Sequence, residues 1–119
     1  MMLMADEGLK IAALVDKLLA DLPNVPTSRG YEIADFLGRG ETGFSTFMDL
    51  MRAGVASAVR ETVRGQADPD QSRLMALRPA GAWDEVWQGL TRLQRETEQF
   101  ALDKRQAIVA GIGMVTGTA

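Results

Sequence analysis

The sequence contains no cysteine and no histidine, and these two absences exclude much of the chemistry that 119 residues could carry. Without cysteine there is neither a disulfide framework nor a thiolate nucleophile. Without histidine, the commonest general base and metal ligand is missing. Zinc sites, haem ligation and Ser-His-Asp or Cys-His catalysis are therefore excluded, and any remaining metal site would consist of carboxylates.

Long hydrophobic runs and an excess of positive charge are absent as well. No apolar run approaches the roughly 18 residues of a membrane-spanning helix. Met1–Glu7 lacks the basic region and apolar core of a secretory signal. The net charge of −3 is opposite to the basic surface that nucleic-acid binding requires. We therefore expect one soluble, cytoplasmic domain that contacts neither membrane nor nucleic acid and holds no cofactor.

Apolar residues recur at the three- and four-residue spacing of amphipathic helices, and no stretch alternates as a strand does. The longest apolar face runs from Phe44 to Thr62, and a second runs from Trp83 to Phe100. The sequence predicts an all-α bundle of about five helices plus a possible short extra helix. The expected helices span about 7–22, 43–64, 80–100 and 104–115, with the short extra helix at about 69–77. A short second helix, capped by Thr27 or Ser28, is expected to carry Tyr31 to Leu37.

Helix boundaries are marked by proline, glycine and capping residues. Pro23 and Pro26 end the first helix, and Gly38–Gly40 ends the second. Asp68 and Asp103 are each followed three residues later by glutamine, which predicts an N-cap with a capping box at both places. The loop from Gly38 to Gly43 has the outline G-x-G-x-x-G, but no strand precedes it, so we interpret it as a helix–helix connection.

Carboxylates are the remaining candidates for acid–base or magnesium chemistry. A small enzyme would need two of them to converge in one pocket, with raised pKa values. Each candidate falls in a helix with a solvent-facing side, which favours structural or surface roles: Asp16, Asp35, Asp49, Asp84 and Glu85. We assign no catalytic, cofactor-binding or metal-binding residue.

Three residues are candidates for a protein interface: Trp87, Lys104 and Arg105. Trp83 and Trp87 lie four residues apart and share a helix face, where at least one is expected in the core. The other reading makes them anchors for a partner, because tryptophan is enriched in binding hot spots. Lys104 and Arg105 begin the last helix, where positive charge opposes the helix dipole and therefore suggests an acidic neighbour outside the domain.

The same segment carries a resemblance to a known family. Arg73–Pro79 leads into Ala82–Trp87 and Leu90–Leu93, and Leu102–Val109 follows. This order of Arg-Pro, Trp-x-x-x-Trp and Leu-Asp-Lys-Arg-Gln blocks resembles the C-terminal part of delta-prime subunits of bacterial DNA polymerase III clamp loaders, in their alphaproteobacterial form. The chain departs from that pattern at Gly111 and Gly113, where the family usually has larger apolar residues.

The resemblance implies a single helical oligomerisation domain over residues 1–119, with the family's ATPase-like upstream domains absent from this chain. Such domains pack side by side into a ring-shaped collar that holds the loader subunits together. The implied partners are the other clamp-loader subunits, and the isolated domain is expected to be able to self-associate. The alternative is a free-standing helical adaptor that binds a helix of a partner in a groove.

Overall fold

Six α-helices and no strand make up the part of the chain that the computed structural model describes, namely residues 2–22, 24–37 and 42–117, with side chains from residue 8 onward. The helices are α1 (Met2–Asp21), α2 (Thr27–Leu37), α3 (Gly43–Val63), α4 (Pro69–Met75), α5 (Ala80–Gln99) and α6 (Lys104–Thr116). The predicted all-α bundle with a short extra helix is confirmed. None of the described helices combines the length and apolar character needed to cross a membrane.

Helix α3 is the centre of the bundle, since it contacts each of the other five helices. Around it, α1 packs on α4, whereas α6 packs on both α2 and α5. The apolar face of α3 that the sequence predicts is buried, and its residues supply much of the core: Phe44, Phe47, Met48, Met51, Val55 and Ala58. Thr62, predicted at the end of that face, is exposed, as are Val63 and Arg64 directly after it.

Two predicted caps form at helix starts. At α4, the Asp68 carboxylate accepts from Gln71 N at 2.7 Å, and the Gln71 side chain accepts from Asp68 N at 3.0 Å. At α6, the Asp103 carboxylate accepts from Arg105 N at 2.9 Å and from Gln106 N at 3.3 Å. The α4 capping box is complete, whereas only the Asp103 half forms at α6.

The end of α5 differs from the sequence prediction. Phe100, predicted on the buried face, lies one residue beyond the helix and is 62% exposed. Phe100 has a φ of −105° and a ψ of 10°, and Ala101 follows with a φ of 51°, so the regular helix stops before this side chain. The first helix also begins earlier than predicted, at Met2. Pro23 and Gly38–Gly40, the predicted helix ends, lie outside the described residues.

Gly111, where the chain departs from the family pattern, is buried inside α6. A Cβ added there would meet Met48 and Leu90 at 3.5 Å, which is ordinary van der Waals distance. We expect Gly111→Ala to raise the free energy of unfolding by about 0.5–1 kcal/mol, because alanine loses less entropy in a helix. Urea unfolding measures this. Gly43→Ala is the control with the opposite expected sign, since its Cβ would lie 2.8 Å from the backbone oxygen of Leu37. A higher free energy of unfolding for that variant would contradict the reasoning.

Asp21 at the end of α1 makes stability depend on pH. Arg29 of α2 donates to its carboxylate at 2.6 Å, and Lys17 lies at 3.4 Å. The hydrogen bond from Arg29 holds the pKa of Asp21 below its ordinary value of 3.8. Stabilisation from this carboxylate is therefore present above that value and is lost as the pH falls through the lowered pKa.

We expect Asp21→Asn to lower the urea midpoint at pH 7, and its deficit against the unchanged chain to shrink as the pH falls below about 3.8 through the lowered pKa of Asp21. Unfolding curves at several pH values test this. Asp16→Asn removes the same charge from α1 and serves as the control. A deficit of Asp21→Asn that does not shrink as the pH falls through this range would show that the carboxylate's charge is not the cause.

Candidate functional site

The two tryptophans of α5 have different environments although they lie one turn apart. Trp83 is 1% exposed, and its indole Nε1 donates to the backbone oxygen of Met75 at 3.4 Å. Trp87 is 38% exposed. The prediction that at least one tryptophan belongs to the core is therefore confirmed for Trp83, and Trp87 remains available as a surface residue.

Trp87 lies where α5 meets α3, and these two helices run antiparallel. Gln94 Nε2 donates to Asp49 Oδ1 at 3.2 Å, and Arg52 Nη1 donates to Thr91 Oγ1 at 3.3 Å. Residues further along α3 therefore contact residues earlier in α5. We call the line along which they meet the α3–α5 seam. It is formed by Ser45, Asp49, Arg52, Val55, Ala56, Val59, Arg60, Trp83, Asp84, Trp87, Thr91, Gln94 and Glu98.

Arg52 organises the polar half of the seam. Its guanidinium donates to Asp49 at 2.6 Å and to Thr91, and its Cζ lies 5.9 Å from the centroid of the Trp87 ring. A cation at this distance from the face of an indole is attracted by the ring's quadrupole. The ring of Trp87 is thus attracted toward Arg52 on one side, while 38% of the residue stays exposed.

Gln94 contributes a second polar group to this half. Its amide nitrogen donates to Asp49 at 3.2 Å and to Glu98 at 3.4 Å. Because both partners accept hydrogen bonds, they fix which end of the amide is the nitrogen. Gln94 Oε1 and Arg52 Nε are buried without a hydrogen-bond partner among the described residues. Partly satisfied polar networks of this kind are sensitive to any change beside them.

The other half of the seam is an apolar groove of about 280 Å³. Val55, Ala56 and Val59 of α3 line it together with Trp83 and Trp87 of α5. Its edges carry opposite charges, with Arg60 on the α3 side and Asp84 on the α5 side. Burial of this groove against another protein would remove apolar surface from water, and this is the driving force for binding that the seam can provide.

The other two candidates, Lys104 and Arg105, lie in the first turn of α6, and both are exposed. Arg105 forms an ion pair with Asp35 of α2. The acidic neighbour that its charge suggests is therefore within this domain, and the charge of Arg105 no longer argues for an outside partner. Trp87 borders α3 whereas Arg105 borders α2, so the recorded contacts do not unite the three candidates in one cluster.

The five candidate carboxylates are exposed and are distributed over α1, α2, α3 and α5. Asp35 pairs with Arg105, Asp49 pairs with Arg52, and Asp84 accepts from Gln88 at 2.9 Å. No three acidic residues in the described part of the chain are grouped so that they could hold a metal ion. Residues 38–41 of the glycine loop lie outside that part.

Sequence reasoning missed Arg52 and Gln94, and it gave Asp49 only as one of five candidate carboxylates. The signal for Gln94 is its spacing, since it follows Leu90 by four residues and Trp87 by seven, and thus falls on the apolar face of α5. No such signal marks Arg52, because its role depends on the register between α3 and α5.

Comparisons with protein-family models, with curated proteins and with solved structures gave no match. The family therefore stays a proposal, and the arguments for it come from the residues themselves.

Proposed function

We propose that the chain is the C-terminal collar domain of a clamp-loader delta-prime subunit. In this role it is a non-catalytic oligomerisation domain in the cytoplasm. It holds the subunits of the loader together while sliding clamps are loaded during DNA replication, and it makes no direct contact with DNA. The order of the blocks from Arg73 to Val109 carries the proposal.

The structural roles of those blocks support this reading. Arg78 binds the end of α6, Trp83 fills the core beside it, and Asp103 caps the start of α6. Arg78 and Trp83 connect the end of α4, the start of α5 and the end of α6, as expected if the blocks belong to one helical domain. Trp87 is the large aromatic residue of the blocks that stays on the surface, where a subunit contact requires one.

Co-purification tests the proposal. The chain, in the longest form that its gene encodes, is tagged and expressed with the other clamp-loader subunits of its source organism. We expect it to elute with them in one assembly with fixed stoichiometry on size-exclusion chromatography. An unrelated helical protein carrying the same tag is the control. Elution of the chain by itself, with the remaining subunits assembled without it, would rule the proposal out.

A free-standing adaptor that binds a helix of an unrelated protein is the second candidate, and the groove beside Trp87 favours it equally. The gene separates the two candidates. An ATPase-like module encoded in frame upstream supports the collar, whereas a stop codon directly upstream of Met1 supports the adaptor.

A further inference from the structure

The α3–α5 seam has the shape and charges of a site for one helix. We infer that it docks an amphipathic helix of a neighbouring clamp-loader subunit, with the apolar stripe of that helix over Trp87. One flank of the docked helix is acidic and faces Arg60, and the other flank is basic and faces Asp84. This inference rests on the proposed function, because it identifies the partner as a subunit of the loader.

The shape of the groove favours a helix over a small molecule. Its volume of about 280 Å³ is at the lower edge of the roughly 300–1,000 Å³ of small-molecule sites. It is bounded by two antiparallel helices, and a third helix lies between such ridges through residues at three- and four-residue spacing. A second copy of this chain would present the same groove, so two facing grooves would leave both floors uncovered.

The charges determine which flank of the partner faces which helix. Arg60 extends from α3, and its nearest carboxylate, on Glu61, is 3.9 Å away. Asp84 extends from α5 on the opposite side of the groove. A helix with an acidic and a basic flank matches both edges in one orientation and is repelled in the other, and such complementarity gives specificity and a fast association rate.

Trp87 supplies the anchor, and Arg52 prepares it. The guanidinium holds the ring from the polar side of the seam, so less side-chain freedom is lost when a partner covers the exposed part. A partly exposed tryptophan that lines a groove is typical of a binding hot spot. Covering of Trp87 by a partner would also affect the hydrogen bond from Gln94 to Asp49, because Asp49 accepts from Arg52 as well.

The test compares three substitutions in the seam with three matched substitutions outside it. Trp87→Ala is paired with Phe36→Ala, which removes an aromatic side chain that is 54% exposed on α2. Asp84→Arg is paired with Glu85→Arg, and Arg60→Glu with Arg64→Glu, so that each pair changes the net charge equally. Circular dichroism at the assay temperature verifies that every variant is folded. Affinity for the remaining clamp-loader subunits is measured by surface plasmon resonance.

We expect Trp87→Ala to weaken binding by about 10-fold or more, and each charge reversal at the edges to weaken it by about 3- to 10-fold, with a smaller effect at high salt. The matched variants should bind like the unchanged chain. Equal binding of Trp87→Ala and Phe36→Ala would overturn the seam as the contact while leaving the collar proposal intact. Failure of the unchanged chain to bind refutes the collar proposal itself. A dimer of the chain that Trp87→Ala abolishes would show that the occupant is a second copy.

Discussion

Trp83→Ala is expected to lower the free energy of unfolding by about 3–5 kcal/mol. The indole ring is 1% exposed, and it packs between the core, the α4 end at Met75 and the guanidinium of Arg78. Its removal leaves a cavity that surrounding helices fill only in part. Domains of this size have a total stability of about 5–15 kcal/mol, so the loss takes at least about a fifth of it. Urea unfolding followed by circular dichroism measures the loss.

Two further variants separate the possible causes of that loss. Trp83→Phe keeps an apolar ring and removes the indole N–H, so its loss should be clearly smaller. Trp87→Ala removes the same side chain one turn later, where 38% of it is already in solvent, and we expect a loss of about 1 kcal/mol. Similar losses at Trp83 and Trp87 would contradict the separation of the pair into a core residue and a surface residue.

The sequence could predict the helices but not the division between these two tryptophans. Spacing of four residues puts both rings on one face of α5, and it contains no information on where α3 crosses that face. The crossing covers Trp83 and leaves Trp87 at the edge. Arg52 and Gln94 escaped prediction for the same reason, since the antiparallel register of α3 and α5 brings them together only in three dimensions.

Local signals were reliable where a few adjacent residues decide the structure. The caps at Asp68 and Asp103 depend on hydrogen bonds to backbone groups two or three residues away, and both formed. The prediction for Phe100 was wrong because α5 ends one residue before it. The positive φ of Ala101 after that end has no glycine to mark it in the sequence. The acidic neighbour of Arg105 was expected outside the domain, and Asp35 of α2 supplies it from within.

The Arg-Pro block has a physical explanation in the contacts of Arg78. In the connection between α4 and α5, its Nη1 donates to the backbone oxygen of Met114 at 3.1 Å, and its Nη2 donates to that of Val115 at 2.8 Å. These carbonyls belong to the last turn of α6, where partial negative charge accumulates and a cation stabilises the helix. The guanidinium also lies 4.7 Å from the centroid of the Trp83 ring.

Arg78→Ala is therefore expected to lower the free energy of unfolding by about 2–3 kcal/mol, since it removes two charge-assisted hydrogen bonds and one cation–π contact. Arg78→Lys keeps the charge but has no planar fork to serve both carbonyls, so it should recover only part of the loss. Gly117→Ala tests the same junction from the other side. Gly117 has a φ of 79°, and a Cβ there would lie 2.8 Å from Arg78 Nη2, so alanine would strain the backbone and displace the guanidinium together.

The coupling between Arg78 and Trp83 decides whether these contacts act as one unit. In a double-mutant cycle with Arg78→Ala and Trp83→Phe, independent contacts would give losses that add. We expect the double variant to lose about 0.5–1 kcal/mol less than the sum of the single variants, because each one already weakens the stacking of the guanidinium on the ring. Additive losses would show that Arg78 stabilises only the end of α6. The Arg-Pro and tryptophan blocks would then be two separate features of the fold.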